Sequence, residues 1–111
     1  VRIDTLKSSR NIKVYIEKDL ILSTNKSIVL YETHNPPKYF FSIKDIKVNL
    51  VFSETIFRCP YKGISNYLSI RENNKLLKNV IMQYNQPKPE VSILKNLVCF
   101  DIKYPLSITV T

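Results

Sequence analysis

The stretch Cys59-Pro60-Tyr61-Lys62-Gly63, with Tyr67 shortly after it, concentrates reactive side chains and holds the chain's one glycine. A lysine on a stiff turn can bind an anion. Tyr61 or Tyr67 can stack on a ligand or donate a hydrogen bond to it. A cysteine whose thiolate is stabilised by a neighbouring ammonium can act as a nucleophile, which would pair Cys59 with Lys62. Glu32, at the end of an apolar run, can partner Lys62 or serve as an acid or base across a cleft. Each residue also has a plainer reading: Cys59 as core packing, Tyr61 as the cap of a sheet end, Lys62 and Glu32 as solvated charges. Gly63 admits positive φ, which costs other residues about 1–2 kcal/mol, and it lets another backbone or a ligand approach closely. Pro60 fixes the chain just upstream. Together they predict a stiff turn between two strands that carries Tyr61 and Lys62.

The remaining polar residues carry less. Glu90 follows Pro89 and suits a helix start, where a carboxylate complements the exposed N–H groups; catalysis is the weaker reading. His34 lies in a loop and reads as solvated. Phosphoryl or nucleotidyl transfer needs metal-binding carboxylates or a glycine-rich phosphate cradle. Asp4, Asp19, Asp45 and Asp101 form no close pair, and one glycine makes no such loop. With two cysteines and His34 as the only histidine, a closed Cys/His zinc site cannot be assembled from one chain, and no cofactor is expected. Cys99, within Leu97-Val98-Cys99-Phe100, reads as a small buried hydrophobe. A Cys59–Cys99 disulfide is the minor alternative in a reducing compartment.

These residues must be positioned by a scaffold, and composition bounds it. A chain of 111 residues that is 44% hydrophobic can build one core, which argues for a single domain over 1–111 and against disorder. No apolar run approaches the roughly 20 residues of a membrane span, and no secretory leader opens the sequence. A cytoplasmic protein without membrane contact is expected. The net charge of +8 raises nucleic acid or another polyanion as a partner. However, the lysines fall singly and form no basic block, so a lysine-rich solvated surface is the plainer reading.

The texture is β throughout. Residues 11–23 predict a hairpin, 27–32 a third strand and 38–41 a short aromatic strand after the Pro36-Pro37 loop. Strands follow over 46–52 and 55–59, divided by Ser53-Glu54. Residues 66–84 predict a hairpin turning at Glu72–Lys75, where asparagine tolerates positive φ. A second proline loop spans 85–89, one short helix spans 89–96 with Val91 and Leu94 on one face, and 97–102 and 106–110 close the chain as strands.

The spaced motifs resemble those of the domain of unknown function 427, a group also labelled nucleotidyltransferase-like. Cys59-Pro60-Tyr61-Lys62-Gly63 with Tyr67 is similar to the family signature. Glu32 before Pro36-Pro37, Tyr39-Phe40, and Asp45-Ile46 resemble its acidic residue, proline turn, Tyr-Phe strand and Asp-Val step. Tyr84 before Pro87 and Pro89-Glu90 resembles its Tyr-Pro-x-Pro-Glu segment. The likeness covers about residues 10–104. Two positions depart from it: Met82 stands where a tryptophan is usual, and His34-Asn35 replaces a glycine, which leaves that loop's shape open. The resemblance implies a mainly β, β-tent-like fold, with two antiparallel sheets meeting at an angle around a cleft. Relatives of that fold often hold zinc through four cysteines, which this chain lacks. Family likeness supplies no reaction.

The resulting expectation is a small-molecule or anionic-ligand site centred on Cys59, Tyr61, Lys62, Gly63 and Tyr67, with Glu32, Tyr39, Tyr84 and Glu90 nearby. The alternatives are an enzyme of unknown reaction using Lys62, Glu32 or Cys59, and a basic polyanion-binding module.

Overall fold

The computed structural model describes residues 2–111. Ten strands carry most of the chain: β1 (Ile3–Ser8), β2 (Ile12–Ile16), β3 (Asp19–Thr24), β4 (Ser27–Glu32), β5 (Lys38–Phe40), β6 (Asn49–Cys59), β7 (Gly63–Glu72), β8 (Lys75–Pro87), β9 (Val98–Phe100) and β10 (Leu106–Val110). The fold is mainly β, and every ladder is antiparallel. No helix among the described residues is long and apolar enough to cross a membrane.

The strands form three sheets, ordered β1-β4-β5, β10-β2-β3 and β6-β7-β8-β9. This differs from the two sheets expected. The first and third are nonetheless joined: Phe41 and Val98 exchange backbone hydrogen bonds of 2.8 and 2.9 Å, placing β5 beside β9.

Side-chain alternation explains how the layers meet. β2 buries Ile12, Val14 and Ile16 on one face, the period-2 pattern of a half-buried strand. β9 is buried at all three positions because both of its faces are covered. Val98 and Phe100 enter a core with Ile12, Val14, Leu22, Ile70 and Ile81, while Cys99 points the other way, into a second core with Leu30, Phe40, Tyr84, Val91 and Leu94. Phe40 and Phe41 divide between the two cores in the same manner.

Several local expectations change. Strand β1 pairs with β4 over six residues, although its sequence carried no strand signal. The Ser53-Glu54 break is a register irregularity between Phe52 and Ile56 inside one continuous β6. Residues 46–48 lie outside the strand, where Lys47 N–H donates to Ile21 O at 2.7 Å. The 85–89 loop is shorter than expected, because β8 runs on to Pro87, paired with Gly63. A strand's last residue tolerates proline, since the ladder ends there. The expected helix is a 3-10 helix over Pro89–Leu94 with non-helical dihedrals at Val91, and its Val91 and Leu94 are buried as the spacing predicts.

Candidate functional site

The Cys-Pro-Tyr-Lys-Gly segment is a tight hairpin. Cys59 ends β6, Gly63 begins β7, and the two are paired across the three-residue loop Pro60-Tyr61-Lys62. Gly63 has φ of 106°. A Cβ built there would overlap the Gln86 carbonyl oxygen and lie 2.9 Å from the Lys88 amide nitrogen. Lys88 N–H donates to the Lys62 carbonyl at 2.9 Å. The turn is therefore seated directly on the end of β8, and only glycine fits at the contact.

That seating decides where Lys62 goes. Its side chain runs inward, and Nζ donates to Glu32 Oε1 at 3.0 Å, with the two side chains only 8% and 14% exposed. Glu32 comes from the last residue of β4, where it shares a face with Leu30. His34 takes φ of 67° and Asn35 N–H closes on Glu32 O at 3.0 Å. His34 thus accepts a left-handed conformation, and the loop folds back beside Glu32.

Above this ion pair lies a cleft of about 610 Å³. One wall is a row across three strands: Tyr67 faces Met82, and Met82 faces Cys99. Tyr84 shares the Met82 face of β8 and also lines the cleft. Its ring packs on Phe40 with centroids 5.8 Å apart, a tilted pairing favoured by the ring quadrupoles. Its backbone is held by Leu97 O and by Asn96 N–H. Phe57, the Asn35–Lys38 loop and Phe100–Ile102 complete the lining.

Burial governs the titration of the two groups beneath the cleft. Desolvation first, then the neighbouring Cys99, Cys59, Glu32 and Tyr67, pushes the Tyr84 phenol well above its ordinary value. The phenol therefore stays protonated and available as a donor. Desolvation also pushes the Cys99 thiol up to about 11, against smaller opposing effects of Lys38 and Lys62. Both cysteines are free, with Cys59 partly accessible and Cys99 buried.

Of the residues singled out by sequence, Glu32, Cys59, Lys62, Tyr67 and Tyr84 converge on the cleft. Tyr61 does not; it is 48% exposed on the outside of the turn. Tyr39 packs against the larger core, Glu90 is exposed at the start of the 3-10 helix, and Gly63 acts through its backbone. Sequence reasoning missed Phe57, Met82 and Cys99 as cleft residues. Met82 and Cys99 had one usable signal, their strand-parity match to Tyr84 and Tyr67, but the register between strands was needed to read it.

No curated protein matches the chain. One family model does, described as a domain of unknown function (DUF427), and its match spans residues 4–110, from β1 to the end of β10. The family likeness first seen in scattered motifs thus extends over almost the whole fold, and the chain belongs to the DUF427 family.

Proposed function

We propose that this protein is a small-molecule binding domain whose ligand occupies the cleft over Lys62 and Glu32. The observation that carries this reading is the unused hydrogen-bonding capacity at the cleft floor. A lysine ammonium has three donors, and Lys62 directs one to Glu32 Oε1. Among the described residues, the second Glu32 oxygen and the Tyr84 hydroxyl take no protein partner within hydrogen-bond reach. Neither is among the fully buried atoms without a partner, so both remain open to solvent, and a ligand in the cleft can take up the hydrogen bonds that solvent would make there. The surrounding walls are largely apolar, and the cleft volume falls within the roughly 300–1,000 Å³ usual for small-molecule sites.

The test is a fragment screen read by amide chemical shifts on the labelled protein. Binding should move Tyr67, Met82, Tyr84 and Cys99 together and leave the β10-β2-β3 sheet unmoved. Fragments that bind only elsewhere, or none that bind, would reject the reading.

A further inference from the structure

Resting on that cleft reading, the charge balance of the floor selects the head group of the ligand. Lys62 and Glu32 lie 3.0 Å apart and are both shielded from water, so together they form a neutral unit. An anion drawn to Lys62 meets the Glu32 carboxylate at nearly the same range, and a cation drawn to Glu32 meets the Lys62 ammonium. In a poorly solvated site such like-charge approaches weigh as heavily as the attractions. The next charges outward, Lys38 and Asp101 on the rim, are exposed and also opposite in sign. The surplus positive charge of the chain is therefore not gathered here.

What the floor offers instead is a donor and an acceptor side by side, the remaining Lys62 N–H groups and the second Glu32 oxygen, with the Tyr84 hydroxyl lining the same cleft. A neutral group that carries its own acceptor and donor can satisfy both without adding charge. We propose that the cleft binds an uncharged ligand with a carboxamide- or urea-type head group, its carbonyl accepting from Lys62 and its N–H donating to Glu32, and an apolar body lying against Leu30, Phe57, Met82 and Ile102.

The experiment titrates the labelled protein with benzamide, benzoate and benzamidine, three probes alike in body and different in charge. Benzamide should shift Tyr67, Met82, Tyr84 and Cys99, with a Kd at least about tenfold below those of the charged probes. Glu32→Gln leaves Lys62 uncompensated while its side-chain carbonyl still accepts from Nζ, so this variant should prefer benzoate. Should Glu32→Gln fail to fold, Lys62→Gln serves in its place and should prefer benzamidine. A wild-type protein that binds benzoate or benzamidine as tightly as benzamide overturns the head-group assignment and leaves the cleft reading standing. So does silence from all three probes while other fragments bind in the cleft. Silence from these probes and from the fragment screen together overturns both.

Discussion

Strand β7 begins and ends on a hairpin turn, and the two turns meet positive φ differently. At its start Gly63 takes φ of 106°; at its end Asn73 and Asn74 take 50° and 62°. Glu17, His34, Asn79 and Asn96 also adopt positive φ without being glycine. Those six values, 50–67°, lie in the left-handed region that asparagine and some other residues adopt, whereas 106° lies beyond it, so the backbone at position 63 itself favours glycine. The Asn73-Asn74 turn is exposed, and there the strain of about 1–2 kcal/mol is tolerable. The Gly63 turn lies against the backbone of Gln86–Lys88, where a Cβ would collide with atoms that cannot rotate away. That contact also turns Lys62 inward, so the chain's one glycine and, among the described residues, its one buried lysine have a common cause.

The sharpest test of this contrast is Gly63→Ala. We expect a loss of about 3 kcal/mol or more in urea unfolding, since steric overlap adds to backbone strain. A cost no greater than that of Asn74→Ala would break the comparison. Next in size is Lys62→Met, which leaves Glu32 shielded and unpaired and should cost about 2–3 kcal/mol, somewhat below a fully buried pair. The double variant Lys62→Met/Glu32→Leu should recover most of that loss, because replacing both charges removes the desolvation problem as well as the attraction. The Arg2–Asp4 pair, 83% and 53% exposed at a similar 2.9 Å, is the control: Arg2→Gln should change stability by less than about 0.5 kcal/mol.

The cysteines extend the contrast between turn and core. Cys99 holds its proton to about 11 in the folded protein and releases it near 8.5 when unfolded. Between those values the folded state binds more protons, so stability is fully present below about pH 8.5 and falls as pH rises toward 11. Melting temperatures across this range should decline, and Cys99→Val should flatten part of the slope; an unchanged slope would remove Cys99 as its cause. The smallest effect is expected at Asn74→Gly, within about 0.5 kcal/mol of wild type, because glycine also accepts the positive φ of the exposed turn.

Much of the scaffold was legible because local pattern and final environment agree. The β2–β3 hairpin, β4, β10 and the Val91/Leu94 face follow from alternation or spacing alone. β1 was not legible: Ile3-Asp4-Thr5-Leu6-Lys7-Ser8 has weak strand character, and its six-residue pairing with β4 supplies what its own residues do not. The break expected at Ser53-Glu54 failed for a related reason, since strand pairing on both sides absorbs an irregularity that local polarity cannot distinguish from a turn. At the site, residue type pointed to Lys62, Glu32 and Tyr84, yet the same reasoning put Tyr61 beside them. Adjacent residues in a three-residue loop face different ways, and nothing in their types says which one turns inward.

By itself, then, the sequence determined that the chain is β, that its turn at 60–63 is singular, and that it carries the family's motifs in order, because propensity, proline and glycine act over a few residues. Tertiary structure alone decided that the turn sits on the end of β8, that Lys62 meets a glutamate thirty residues away, and that Tyr67, Met82 and Cys99 form one wall. Those contacts depend on strand register and on which backbones touch, and neither is encoded in any single segment.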